Sequence, residues 1–238
     1  MIYGLGDIHR NINYLKWQLE HKKDCHIFHV GDYEVGFVGE NAQIRILMEF
    51  NKWLAERNIV IYNIRGNHDD PKYFQGDHIY SNLQFLPDYT IIEVEDKKVL
   101  CIGGATSPDR RQAKIESDIN EKLGQPRRYW DDEPFVLRED LLEKVKGINM
   151  LVTHTAPTYC TPILSGNYPK FMRDFAKHDK TLLDDIKKER EDMDKLLKIL
   201  GKNNTIKHHI YGHFHRNDIT DNLYTQHIVL DKNDLYPI

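Results

Sequence analysis

The stretch IVIYNIRGNHD, residues 59–69, joins a strand pattern to a turn rich in potential ligands. Its apolar and β-branched residues predict a buried strand over Ile59–Arg65. Gly66 ends that strand, and three polar residues follow it directly: Asn67, His68 and Asp69. The same succession of a short apolar run, a small residue and a potential metal ligand occurs elsewhere in the chain.

Four other turns repeat this succession: GDIH at 6–9, GDYE at 31–34, TH at 153–154 and GHFH at 212–215. In an open α/β sheet the carboxyl ends of the strands share one edge, so we expect all five turns to converge. Besides His68, they supply two carboxylates, four imidazoles and one amide: Asp7, Asp32, His9, His154, His213, His215 and Asn67. This mixture suits Zn, Fe, Mn, Co or Ni, and the set is larger than one tetrahedral ion accepts. Two ions that share a carboxylate fit it better.

Each turn by itself also has a structural explanation. Asp7 could cap a helix, GNHD could form a simple turn, and His213 with His215 could be a satisfied pair at a strand end. Five such turns in one chain, each at the end of a predicted strand, are better explained by one common site.

Length and composition indicate a single domain over residues 1–238. The chain has 33 Lys+Arg and 37 Asp+Glu, a net charge of −4, and 40% hydrophobic residues, which excludes intrinsic disorder and any general attraction to nucleic acid. No apolar run approaches the about 18 residues of a membrane helix. The N-terminus reads as a strand rather than an export signal, and three widely spaced cysteines suggest no disulfides, so we expect a cytoplasmic protein.

Apolar runs and helical periods alternate along the chain, as in stacked βα units. Strands are predicted over 1–6, 26–31, 59–65, 90–95, 99–104, 148–153 and 207–211, with a hairpin turn at 95–98 and further β structure within 219–231. Helices are predicted over 13–23, 40–57, 109–123, 137–146 and 180–200, and a long loop over 159–180.

The ordered motifs GDIH, GDYE, GNHD, TH and GHFH resemble those of the calcineurin-like metallophosphoesterases, whose pattern runs D-x-H, G-D, G-N-H-[DE], H, G-H-x-H. The resemblance spans Asp7 to His215. It implies an α/β fold in which a β-sandwich is flanked by helices in four αββα layers, with the metal site at the carboxyl ends of the strands. It also implies two divalent transition-metal ions, and we expect Mn in preference to Fe, Zn, Co or Ni.

The resemblance further implies a role for each ligand. A first metal would be held by Asp7, His9, Asp32 and His215, and a second by Asp32, Asn67, His154 and His213, with Asp32 as the bridge. His68 would lie beside the ions without binding them. Such a site hydrolyses phosphate monoesters or diesters by attack of a hydroxide that bridges the ions.

His68 is the candidate general acid for the leaving group, because imidazole titrates near neutrality. Asn67 and Arg10 are candidates for substrate binding, with Arg110, Arg111, Arg127 and Arg128 as weaker sources of positive charge. For Asp69 we consider two roles, orienting His68 or ordering a neighbouring loop.

The second motif separates this chain from the serine/threonine protein phosphatases, which carry GDxVDRG there. Val35 and Gly36 stand where those enzymes have the aspartate that partners the catalytic histidine and the arginine that grips phosphate. We therefore expect a small phosphate ester or a nucleotide as substrate, no membrane partner and no extended nucleic acid. Selectivity is predicted to reside in residues 105–130 and 159–180.

Two alternatives stay open. A nuclease of the same superfamily would need a basic groove with stacking aromatics, for which residues 127–130, RRYW, are the one small candidate. A non-catalytic metal-binding scaffold would have no chemical need for the full ligand set and His68.

Overall fold

The computed structural model describes residues 1–164, 166–222 and 224–238. Within these ranges the strands are β1 Ile2–Leu5, β2 Cys25–His29, β3 Ile59–Asn63, β4 Leu83–Phe85, β5 Thr90–Val94, β6 Lys97–Ile102, β7 Met150–Thr153, β8 His208–Tyr211, β9 Asp218–Asp221, β10 Gln226–Val229 and β11 Leu235–Pro237. The α-helices are α1 Ile12–Gln18, α2 Glu40–Ala55, α3 Arg110–Lys122, α4 Glu139–Leu142, α5 Lys170–Ala176 and α6 Leu182–Leu200, and Pro71–Phe74 forms a 3₁₀ turn. None of these helices is long and apolar enough to cross a membrane.

The first sheet has the strand order β11-β1-β2-β3-β4. Its strands are parallel except β11, which pairs antiparallel with β1. Leu5 pairs with His29, and His29 pairs with Asn63, so three strands end level with one another. The turns that follow β1, β2 and β3 therefore emerge side by side.

The second sheet has the order β5-β6-β7-β8-β10-β9. Strands β6, β7, β8 and β10 run parallel, and Thr153 at the end of β7 pairs with Tyr211 at the end of β8. The predicted hairpin is present, because β5 and β6 pair antiparallel across the turn at Glu95 and Asp96. The turns after β7 and β8 thus also share one edge.

Alternation along the strands places the sheets face to face. In β2, Ile27 packs in the cluster that lies under α1 and α2, while Phe28 packs in the cluster between the two sheets. On the outer face of the second sheet, Leu151 packs with Met193 and Leu196 of α6. Burial of each such side chain contributes about 1.5–3 kcal/mol. The result is the expected β-sandwich flanked by helices.

The structure differs from the predicted elements in several places. Strands β4 and β11 were not predicted, because a three-residue strand has too few residues for a period. The predicted loop 159–180 contains helix α5. The predicted helix 137–146 is shortened to α4, because the chain turns at residues 143–144 and brings Val145 into the core cluster that already holds Leu142. Ser165 in the predicted loop and Leu223 in the predicted β region lie outside the described residues.

Candidate metal centre

The structure brings all seven predicted metal ligands together at the seam between the two sheets. Four of them lie in the turns that follow strands of the first sheet: Asp7 and His9 after β1, Asp32 after β2 and Asn67 after β3. The other three follow strands of the second sheet: His154 after β7, and His213 and His215 after β8. The carboxyl edges of both sheets thus contribute to one cluster.

A first group consists of Asp7, His9, Asp32 and His215, whose potential ligand atoms all lie within 4.8 Å of one another. Nε2 of His9 lies 3.1 Å from Nε2 of His215, which in turn lies 3.3 Å from Oδ2 of Asp7. Two carboxylates and two imidazoles that converge in this way suit a divalent transition metal.

A second group forms around the side-chain oxygen of Asn67. Its Oδ1 lies 2.9 Å from Nε2 of His154 and 2.8 Å from Nδ1 of His213. Asp32 connects the two groups, because its Oδ1 lies 3.3 Å from Nε2 of His154 and its Oδ2 lies 4.0 Å from Nε2 of His9.

The carboxylate of Asp7 tests whether the cluster fits a cation. Asp7 is fully buried, and its Oδ1 has no hydrogen-bond partner within the described part of the chain. A buried carboxylate oxygen without a partner is costly, since it has lost its water and gained nothing in exchange. A metal ion would supply the missing partner, so these residues fit the group that the sequence predicts.

Hydrogen bonds behind the ligands aim two imidazoles at the centre. Nδ1 of His154 donates to the carbonyl oxygen of Val30 at 2.6 Å, and Nδ1 of His9 donates to Oε1 of Glu34 at 2.9 Å. Each bond keeps a proton on Nδ1, so that Nε2 is the ring atom that could bind a metal. Sequence reasoning missed Glu34, although its place two residues after Asp32 in GDYE was a usable signal.

Two side chains, linked by hydrogen bonds, orient Asn67. Its Nδ2 donates to Oγ of Ser107 at 2.9 Å, and that hydroxyl donates to Oε2 of buried Glu133 at 2.8 Å. The amide oxygen is thereby turned toward the two histidines. No local motif links Ser107 and Glu133 to the site, so the sequence offered no signal for them.

The charges in the cluster are strongly coupled. Burial raises the pKa of Asp32, but the positive charges of His154, His68 and His9 outweigh burial and hold it well below its usual value. Burial by itself would lower the pKa of His154. The negative charge of Asp32 and the hydrogen bond between the two side chains outweigh burial and raise this pKa to about 9. Without metal, the two groups form a buried ion pair.

His68 lies beside the cluster of candidate ligands. Its ring centroid is 5.7 Å from that of His9, and it lines a cavity of about 510 Å³. Asp69 orders a loop instead of contacting His68, since its carboxylate accepts from the backbone N–H groups of Gly66 at 2.7 Å and Val35 at 3.1 Å. Of the two roles considered for Asp69, the structure thus supports the second.

The candidate arginines are placed differently from one another. Nε of Arg10 is paired with Oε2 of Glu34 at 2.8 Å, and its guanidinium lies 5.8 Å from the ring centroid of Phe37. Arg216, which sequence reasoning missed although it directly follows GHFH, lines the cavity. The weaker candidates Arg110 and Arg127 are paired with carboxylates outside the site, those of Asp179 at 2.6 Å and Glu121 at 2.7 Å.

Comparison with solved structures gives distant similarity. A putative 5'-nucleotidase from Staphylococcus aureus in complex with alpha-ketoglutarate has 12% identity and a TM-score of 0.44, over 98% of this chain and 48% of that one. Phosphopantetheinyl hydrolase from Mycobacterium tuberculosis has 14% identity and a TM-score of 0.46, over 98% and 89%. GAP50, the anchor in the inner membrane complex of Plasmodium, has 15% identity and a TM-score of 0.43, over 97% and 70%. The chain thus spans about half the length of the nucleotidase.

Comparison with curated proteins gives no match. The sequence pattern that defines the calcineurin-like phosphoesterases matches residues 1–217, which include every ligand of the cluster described above. This chain belongs to the calcineurin-like phosphoesterase family.

Proposed function

We propose that this chain hydrolyses small phosphate monoesters or diesters with two divalent metal ions, Mn in the first instance. The observation that carries the proposal is the position of Asp32, whose two carboxylate oxygens face two different sets of ligands. One carboxylate between two ligand groups is the arrangement that a shared pair of ions requires.

The ligands divide between the two ions as their contacts suggest. Asp7, His9, Asp32 and His215 would hold the first ion, and Asp32, Asn67, His154 and His213 the second. Bound there, the ions would lower the pKa of an attacking water and neutralise charge on the phosphoryl oxygens.

Two side chains outside the ligand set complete the proposed chemistry. His68 lines the cavity beside the cluster, where its imidazole is placed to give a proton to the leaving oxygen. Arg10, held by Glu34, would add positive charge on the side of the centre nearest His9. Asn67 would contact substrate as well as metal.

A small substrate is favoured over nucleic acid. Among the described residues that line the cavity, Arg216 is the only lysine or arginine, whereas nucleic-acid grooves carry several. In the RRYW segment Arg127 is ion-paired, Tyr129 is buried and Trp130 packs against Phe37, which leaves Arg128 as its one exposed basic side chain.

Elemental analysis of the purified protein, combined with assays on p-nitrophenyl phosphate and bis-p-nitrophenyl phosphate with and without Mn²⁺, tests the proposal. We expect about two equivalents of metal per chain and metal-dependent turnover. The preferred ester then separates a monoesterase from a diesterase. A protein that takes up no metal and hydrolyses neither ester would contradict the proposal and favour a non-catalytic role.

The bridging role of Asp32 has its own test. Asp32→Asn keeps the shape of the side chain but removes the negative charge that both ions would share. We expect both metal equivalents to bind more weakly in a titration calorimeter. Loss of affinity for one ion alone would contradict the bridge.

A further inference from the structure

The cavity beside the metal ligands has two unlike sides. One side is formed by residues of the proposed centre, including Asp32, Asn67 and His68. The other side is formed by apolar residues from separate parts of the chain: Pro108, Pro162, Ile163, Pro169, Phe171, Met172 and Phe214. A phosphoryl group at the metal ligands would therefore have its ester substituent beside an apolar wall.

The part of the wall formed by Pro162 and Ile163 is anchored by one buried arginine of α6. The guanidinium of Arg190 donates to the backbone oxygens of Ala156 at 3.1 Å, Pro157 at 2.6 Å, Cys160 at 2.8 Å and Ile163. These bonds tie down the connection after β7 that carries Pro162 and Ile163. Because this connection has four such anchors, Pro162 and Ile163 occupy defined positions in the wall.

Charge is scarce along this wall. Apart from the proposed ligands and His68, Arg216 is the one charged side chain among the described lining residues, and it is 61% exposed at the mouth. A charged or strongly polar substituent would lose its hydration against the apolar side chains, and among the described lining residues of the wall side only exposed Arg216 could offer it a partner, so its burial is costly. An apolar substituent would gain from leaving water.

We propose that this wall binds the alcohol portion of the substrate, and that this portion is an uncharged, largely apolar group such as an alkyl chain or an aromatic ring. The inference rests on the proposed function and narrows its substrate class. It names Phe171 as a residue that determines specificity, because Phe171 lies on the wall and is still 52% exposed.

Binding of two non-hydrolysable phosphonates to the Mn-loaded protein tests this inference by calorimetry. One is n-hexylphosphonate, and the other has a chain of the same length that ends in a carboxylate. We expect at least about tenfold tighter binding of the first. The corresponding phosphate esters, which have similar primary alkoxide leaving groups, should differ by a similar factor in kcat/KM.

A positive charge introduced on the wall should abolish the preference for the uncharged chain. Phe171→Lys places an ammonium group beside the substituent, so we expect the ratio of the two affinities to fall at least tenfold in favour of the carboxylate. Ile115→Lys is the matched control, because Ile115 is similarly exposed at 54% but lies on α3 and does not line this cavity. That variant should keep the original ratio.

The outcomes separate the two proposals. Equal or absent binding of the two phosphonates, or an unchanged ratio in Phe171→Lys, would overturn the apolar subsite even if esters are hydrolysed. Preferential binding of n-hexylphosphonate without hydrolysis of any ester would support the subsite and overturn the proposed function.

Discussion

Four of the candidate ligand residues adopt backbone conformations that most side chains avoid. The φ angles are +43° at His9, +58° at Asp32, +69° at His213 and +48° at His215. Such left-handed conformations cost free energy in residues other than glycine, and they cluster where a structure needs a side chain in one particular direction. Gly66 is required for a different reason, the space around it. A Cβ at Gly66 would overlap the carboxylate of Asp32. At this site the backbone therefore adopts unfavourable conformations that direct these side chains toward the cluster.

His68→Ala should lower turnover without changing the metal content of the protein. Loss of a general acid lowers kcat by about 10²–10⁴-fold for an alkyl phosphate, whose leaving oxygen needs a proton. The loss should be much smaller for p-nitrophenyl phosphate, because nitrophenolate leaves without protonation. Metal content, measured by elemental analysis, should stay unchanged, as in the exposed control His178→Ala. Loss of metal would show that His68 is a ligand.

Glu34→Ala should weaken metal binding. The carboxylate of Glu34 accepts a hydrogen bond from the Nδ1–H group of His9. Removal of a hydrogen-bond partner behind a metal-binding histidine lowers metal affinity by about 10–100-fold. Glu34→Gln, which keeps an acceptor oxygen, should recover part of the loss. Arg10→Met is the control, because the side chain of Arg10 also pairs with Glu34 but forms no hydrogen bond or ion pair with a proposed ligand among the described residues. An equal loss of affinity in Arg10→Met would contradict the prediction.

At the scale of elements, a line of neutral polar groups joins β7, β8 and β10. Nδ2 of Asn222 donates to Nε2 of His227 at 3.0 Å, and the Nδ1 atoms of His227 and His209 lie 2.9 Å apart. Nε2 of His209 donates to Oγ1 of Thr153 at 2.7 Å, and that hydroxyl donates to the oxygen of Thr155. Each N–H and O–H group in this line has an acceptor only if the imidazoles of His209 and His227 are both neutral. The line therefore stabilises the sheet only while both histidines are unprotonated.

Acid should therefore destabilise this part of the second sheet. Burial lowers the pKa of His227 to about 4, and burial with the neighbouring ring lowers the pKa of His209 well below its usual value. The unfolded chain thus takes up protons near pH 6.5 that the folded chain refuses, so the free energy of unfolding falls as pH drops from 6.5 toward 4. For His227 alone the loss approaches roughly 3 kcal/mol.

Urea unfolding at several pH values measures this effect. The double variant His209→Gln/His227→Gln should show a flatter dependence of the unfolding free energy on pH between 6.5 and 4. The exposed His21→Gln is the control and should retain the slope of the parent protein. An unchanged slope in the double variant would contradict the assignment to this pair.

At the scale of the whole molecule, the proposed centre joins the two halves of the sandwich. Asp7 and Asp32 extend from the first sheet, while His154 and His213 extend from the second. An ion held by residues of both sheets binds the folded state and not the separated strands. Metal binding and folding are therefore linked.

Thermal unfolding with and without Mn²⁺ tests this linkage. A ligand at 100 times its dissociation constant stabilises the folded state by about 2.7 kcal/mol, which raises Tm by roughly 5–10 °C for a chain of this size. EDTA should reverse the shift. In Asp32→Asn the shift should be much smaller at the same metal concentration. A full shift in that variant would place the stabilising ion elsewhere.

The sequence by itself determined the alternation of strands and helices and the residues that carry the candidate centre. Local signals suffice for both, because apolar periods are short-range and each candidate ligand lies in the turn that follows its strand. Only the tertiary structure decided what surrounds those ligands. Ser107 contacts Asn67 and Glu133 contacts Ser107 from distant positions in the chain, and Phe171 lines the cavity on a helix where a loop was predicted. Such contacts depend on how the sheets and their connections pack, and packing joins residues that no local pattern relates.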